Sequence, residues 1–214
     1  THDLYEESGI QVVGIPATID NDIYGTDITI GYDTAVNTAL DSIDKIRDTA
    51  ASHDRLFIVE VMGRSAGFIA LEVGICGGAE EILVPETKVT LENLGNLIKT
   101  WAIAGKTSSL IVVAEGDELG NAHEIAAKLY QQYHTICHVC VLGHIQRGGS
   151  PTATDRLLAS RLGYHAVKAL EDGKSDVMVG WINNSVTFIP LPESWEKKKP
   201  LDEELIKIYR ILST

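Results

Sequence analysis

An α/β fold, with mostly parallel sheets flanked by helices, is what this sequence predicts. Three observations point to it. Short apolar runs rich in β-branched residues recur along the chain. Stretches of helical period separate them. The separations are long enough for right-handed crossovers between parallel strands. At 214 residues the chain can form one large domain or two small ones.

The elements follow in order. Ile10 to Ile15 reads as a buried strand bounded by glycines. Val36, Ala39, Leu40, Ile43 and Ile46 mark a helix over Thr34 to Ala50. Leu56 to Val61 is a strand, and Ser65 to Cys76 a helix stopped by Gly77-Gly78. Ile82 to Val84 is a short strand. Leu91, Leu94, Leu97, Ile98 and Trp101 mark a helix with Thr90 as N-cap and Gly105 as its stop. Leu110 to Val113 is a strand, Ala122 to Tyr133 a helix, and Val139 to Leu142 a strand. A long helix over Thr154 to Leu170 precedes strands at Val177 to Ile182 and Val186 to Ile189. The run Lys197-Lys198-Lys199-Pro200 reads as a solvated linker before a last helix from about Asp202. Ser150-Pro151 interrupts the pattern, so a domain boundary is expected after Gly149.

Bulk numbers exclude some classes. Eighteen basic against 30 acidic residues give a net charge of −12, unsuited to neutralising nucleic-acid phosphates. No apolar run reaches the length of a membrane span. No charged leader with an apolar core opens the chain, and a cytoplasmic setting is expected. Three cysteines do not form a disulfide framework. Cys137 and Cys140 have the spacing of a redox or metal pair. On a strand, however, positions three apart face opposite sides.

The chemistry concentrates at strand ends. Pro16 to Asp22 places Thr18, Asp20, Asn21 and Asp22 directly after the first strand. Such a cluster reads either as a turn, in which Asp and Asn bond their own backbone, or as a ligand site at the carboxyl end of a sheet. Three more loops share the placement: Met62-Gly63-Arg64-Ser65-Ala66-Gly67, Ala114-Glu115-Gly116, and Gly143 to Gly149 with His144 and Arg147. Glycine admits a ligand to the backbone N–H groups, and arginine offers a fork for phosphate. A helix beginning just after Gly63 adds anion affinity. Glu115 and His144 suit sugar hydroxyls; Asp20 and Asp22 suit a base and a metal-directed carboxylate. The set fits phosphoryl transfer from a nucleotide or pyrophosphate to a sugar hydroxyl, which needs positioning, charge neutralisation and one proton acceptor.

Pro-Ala-Thr-Ile-Asp-Asn-Asp (16–22), Met-Gly-Arg-Ser-Ala-Gly (62–67) and Gly-His-Ile-Gln-Arg-Gly-Gly-Ser-Pro (143–151) together resemble the bacterial ATP-dependent 6-phosphofructokinases. The likeness spans nearly the whole chain. It implies a Rossmann-like fold and a kinase (a transferase of glycolysis) that moves the γ-phosphoryl of MgATP to the 1-hydroxyl of fructose 6-phosphate. It implies Asp20 as proton acceptor, with Thr18, Ile19 and Asp22 beside the substrates and Asp22 near Mg2+. Met62, Gly63 and Arg64 would bind the sugar phosphate or the moving group. Glu115 would bind sugar hydroxyls, and His144 and Arg147 the 6-phosphate. Arg55 matches an arginine that reaches a neighbouring subunit's sugar site, which implies a homotetramer. By the same resemblance residues 1–30 and 150–214 belong to the ATP-binding domain and 31–149 to the sugar-phosphate domain.

Departures matter as much. The family's strand and glycine-rich loop for ATP phosphates do not precede Thr1. The match is therefore to the C-terminal two-thirds, and this stretch alone is expected to have little or no kinase activity. His138 stands where the family usually carries a second cross-subunit arginine, and a histidine cannot make a bidentate fork. The family's allosteric nucleotide site is matched at Arg47, Gly78, Glu80 and Lys106. Ala104 and Ser108 stand where a lysine and a histidine are common. Ala17, small and neutral, favours ATP over pyrophosphate, whose users carry lysine there. Two other readings stay open: a pyrophosphate-dependent enzyme of the same fold, and a non-catalytic module binding sugar phosphate or nucleotide.

Overall fold

A computed structural model describes residues 2–50, 55–106 and 108–213, with the backbone alone at Ala50 and Arg55. The chain divides into two compact units. One comprises residues 1–34 and 150–200; the other comprises 35–149 and 201–214. The last helix thus groups with the second unit.

The first unit holds helix α1 (His2–Ser8), strand β1 (Val13–Gly14) and the start of α2 (Tyr32–Ala50). It also holds α6 (Ala153–Glu171), β6 (Val177–Ile182), β7 (Ser185–Pro190) and the short α7 (Glu193–Glu196). Its sheet has the order β1-β6-β7, parallel between β1 and β6 and antiparallel between β6 and β7. Leu158, Leu162 and Ala166, at helical spacing on α6, bury against Val179 of β6. The expected buried strand over Ile10 to Ile15 shrinks to two residues. Among the described residues it pairs with β6 alone, and Ile10 and Ile15 are exposed. An edge position leaves half of a strand's backbone groups unpaired, so a short strand there is the safer arrangement.

The second unit holds β2 (Arg55–Val61), α3 (Phe68–Cys76), β3 (Glu81–Leu83), α4 (Leu91–Ile103) and β4 (Ser108–Ala114). It continues with α5 (Ala122–Tyr133), β5 (Cys137–Val141) and α8 (Glu203–Leu212). The four strands run parallel in the order β3-β4-β2-β5. Leu110 to Ala114 are all buried, as expected for a parallel strand covered on both faces. Ile58, Ile111 and Val113 face Leu94, Trp101, Ile125 and Leu129 of α4 and α5. α3 packs on β3 and β4. Thr90 caps α4 by accepting the N–H of Asn93 at 3.1 Å, and Asn121 and Glu124 form a reciprocal capping box on α5. Cys137 packs with the apolar cluster under α4 and α5, where burial pushes its thiol up to about 11. A thiol held neutral in this way is a packing group rather than a nucleophile.

Parallel pairing brings the carboxyl ends of β2, β4 and β5 to one edge. Val61 lies opposite Ala114, and Glu60 opposite Val141. The three loops that carry candidate residues therefore leave neighbouring strands side by side.

Candidate active site

In the first unit, residues 16–22 form a hydrogen-bonded turn, one of the two readings the sequence allows. Asn21 performs the turn. It adopts a left-handed conformation (φ 55°), which asparagine tolerates better than most residues. Its Oδ1 accepts the Thr29 N–H at 3.0 Å, and its Nδ2 donates to the Asp27 carbonyl at 3.3 Å. Thr29 closes the loop by donating its hydroxyl to the Thr18 carbonyl at 2.7 Å. The Asp20 N–H donates to Thr18 Oγ1 at 3.2 Å. The carboxylates on either side of Asn21 differ in setting: Asp20 is 5% exposed, whereas Asp22 is open to solvent. Thr18 and Ile19 are half-buried.

One member of the lysine run is a correction to the sequence reading: Lys197 and Lys198 are exposed as expected, but Lys199 is not. Lys199 is half-buried, and its ammonium donates to Asn21 Oδ1 at 2.9 Å and to the Asp27 carbonyl at 2.8 Å. Burial pulls it down to about 8, against the opposing pull of Asp27 and Asp22. The backbone of Lys198 bridges to Ile23, and Lys197 sits 5.3 Å from the Tyr24 ring. The run of like charge suggested solvent; only the three-dimensional position of Asn21 and Asp27 reveals the partners of Lys199.

The second unit assembles the three strand-end loops. The Arg64 N–H donates to Glu115 Oε1 at 3.0 Å, which ties the loop after β2 to the loop after β4. Two glycines make the approach possible. A Cβ on Gly116 would lie 1.9 Å from the Arg64 carbonyl oxygen. Gly63, at φ 146°, would place one 2.4 Å from the Ala66 carbonyl oxygen. Arg64 itself has φ 53° and is exposed. The third loop, a 3-10 turn over Gly143–Arg147, is joined to the first by Gln146. Its side chain is 1% exposed, accepts the Met62 N–H at 3.4 Å and donates to the Gly143 carbonyl at 3.2 Å. Gln146 carried no role in the sequence reading; the structure shows it as a buried amide between exposed His144 and Arg147.

Helix α3 starts at Phe68, not directly after Gly63, because the positive φ angles at Gly63 and Arg64 delay it. Its Gly67 N–H is already taken by Glu86 Oε1 at 3.0 Å. The anion affinity expected of that helix end is therefore directed at a side chain of the protein itself. His138 is exposed on β5, with its ring 5.3 Å from that of Phe57. Arg55 opens β2, and its side chain lies outside the described residues.

A separate cavity of about 140 Å3 is lined by Arg47, Glu80 and Ser108, with Ile46, Phe57, Ser109 and Leu110. Arg47 Nη1 donates to the carbonyls of Gly77 and Gly78 at 2.6 and 2.7 Å, and Glu80 accepts the Leu110 N–H at 2.6 Å. Lys106 is exposed and does not line this cavity.

The ATP-dependent 6-phosphofructokinase 1 of Thermus thermophilus is 54% identical over 210 residues, covering 98% of this chain and 65% of that protein. The ATP-dependent 6-phosphofructokinase of Coxiella burnetii is 49% identical over 210 residues, covering 98% of this chain and 64% of that protein. The chain thus spans just under two-thirds of the length of these relatives. Among solved structures, phosphofructokinase from Saccharomyces cerevisiae superposes with a TM-score of 0.80 at 30% identity. That match covers 99% of this chain and 29% of the yeast chain. The Phosphofructokinase family description matches residues 1–170, and the chain belongs to the phosphofructokinase family.

Proposed function

We propose that this chain carries the larger part of an ATP-dependent 6-phosphofructokinase, which transfers the γ-phosphoryl of MgATP to the 1-hydroxyl of fructose 6-phosphate. Asp20 is the base: it takes the proton of the 1-hydroxyl as the phosphoryl group arrives. The observation that carries this reading is the pairing of a buried Asp20 with an exposed Asp22 across a rigid Asn21. A carboxylate shielded from water is suited to proton transfer, and an exposed one to a hydrated cation.

Asp22 fits Mg2+, a hard cation that keeps several waters and takes one or two carboxylates along with substrate phosphates. Bound there, the ion neutralises charge on the phosphate oxygens. In the second unit, Arg64 and the backbone at Met62 and Gly63 hold phosphate oxygens. Glu115 accepts from sugar hydroxyls, and His144 and Arg147 bind the 6-phosphate. Arg55 and His138 serve a neighbouring subunit in a homotetramer. Arg47, Gly78, Glu80, Lys106 and Ser108 belong to a nucleotide effector site weakened by Ala104 and Ser108. No helix among the described residues is long and apolar enough to cross a membrane, and we assign the enzyme to the cytoplasm.

The test is a donor assay on a protein of full family length carrying this sequence, with ATP and pyrophosphate in parallel. Fructose 1,6-bisphosphate should form with ATP and not with pyrophosphate. Formation with pyrophosphate alone would overturn the donor. No product with either would favour a binding module.

A further inference from the structure

Asp20, Asp22 and Asp27 put three carboxylates into eight residues of one loop. Their mutual repulsion opposes a compact loop unless a cation or oriented dipoles offset it. The loop's centre is one oxygen, Asn21 Oδ1, on which three donors converge: the Thr29 N–H at 3.0 Å, the Thr29 hydroxyl at 3.3 Å and the Lys199 ammonium at 2.9 Å. The same ammonium reaches the Asp27 carbonyl at 2.8 Å. It therefore spans both limbs of the loop, one bond at each.

Lys199 is itself held. Lys198 bridges by its backbone to Ile23, and Lys197 pairs with Glu193 at 2.7 Å while lying over the Tyr24 ring. Three successive lysines thus contact Tyr24, Ile23, and Asn21 with Asp27, respectively. Asn21 separates Asp20 from Asp22, so any rotation of its backbone turns the two carboxylates relative to each other.

We propose that Lys199 is a positioning residue of the phosphoryl-transfer site: by fixing Asn21 and Asp27 it sets the direction of Asp20 and Asp22. It acts through its bonds to Asn21 and Asp27. The inference rests on the reading of Asp20 as the base. Its expected signature is a split between kinetic constants. A misdirected base slows the chemical step, while sugar-phosphate binding by residues of the second unit is unchanged.

The experiment compares Lys199→Met, Lys199→Gln, Lys199→Arg and Asp20→Asn in a protein of full family length, with folding checked by circular dichroism. Lys199→Met and Lys199→Gln should lower kcat by about tenfold to a hundredfold, with KM for fructose 6-phosphate within about threefold of the parent. Lys199→Arg, which keeps the charge and two donors, should recover most of kcat. If Lys199→Met does not fold, the Gln and Arg pair decides by the same criterion. A Lys199→Gln enzyme with parental kcat, or one equal to Lys199→Arg, overturns the proposal while Asp20→Asn stays inactive. Turnover that survives Asp20→Asn instead sinks the reading of the base on which the proposal stands.

Discussion

Tyr209 Oη donates to Glu81 Oε1 at 2.7 Å and accepts the Ile82 N–H at 2.9 Å. One phenol on α8 thereby joins the last helix to β3 of the second unit. Burial pushes the Glu81 carboxyl above its ordinary value, and burial together with the Glu81 charge raises the Tyr209 phenol as well. Tyr209→Phe removes the phenol's bond to Glu81 and leaves the Ile82 N–H only its longer bond to Glu81 Oε1 at 3.2 Å. Urea unfolding should show a loss of about 1–3 kcal/mol. An unchanged midpoint would mean that α8 is held by apolar contact alone.

Glu115 should matter twice, because it both orients the Arg64 loop and faces the proposed sugar. Glu115→Ala removes the acceptor of a backbone N–H held at 3.0 Å. A charged hydrogen bond of this kind is worth about 1.5–3 kcal/mol. KM for fructose 6-phosphate should rise about tenfold or more, measured by coupled assay at saturating ATP. A parental KM would remove Glu115 from the sugar site.

His138→Arg restores a fork for phosphate at an exposed strand position. Sugar-phosphate affinity, read by titration calorimetry on the assembled protein, should improve about threefold to tenfold, by roughly one added charge-assisted contact. No gain would show that position 138 does not face the 6-phosphate.

Lys199 gives a pH signature of stability. Its folded-state value is about 8, against about 10.4 in an unfolded chain. Between these values the unfolded chain binds more protons, so stability rises with pH across that window. The native protein should gain on the order of 1–3 kcal/mol from about pH 8 to pH 10 relative to Lys199→Met. Parallel stability curves for the two proteins would contradict a buried, depressed lysine.

Much of this was legible from the chain. Strand β4 is buried on both faces from Leu110 to Ala114, so it reads as an unbroken apolar run, and Thr90 and Asn121 announce their helices by side-chain chemistry. The strand-end loops could be located because glycine next to a charged residue after such a run has few structural uses. What escaped depended on distant partners. β1 is short because, among the described residues, β6 alone flanks it, which no local period reveals. α3 begins late because Gly63 and Arg64 take positive φ. Lys199 and Gln146 take their roles from residues 178 and 84 positions away in the sequence, and composition alone made the one a surface charge and the other a bystander.

The central claim is that Asp20 accepts the proton. Asp20→Asn in a protein of full family length preserves the size of the side chain and removes the base. Steady-state turnover with saturating MgATP and fructose 6-phosphate should fall by about 10²–10⁴-fold, while equilibrium binding of fructose 6-phosphate stays within about threefold of the parent. Turnover within tenfold of the parent would contradict the account.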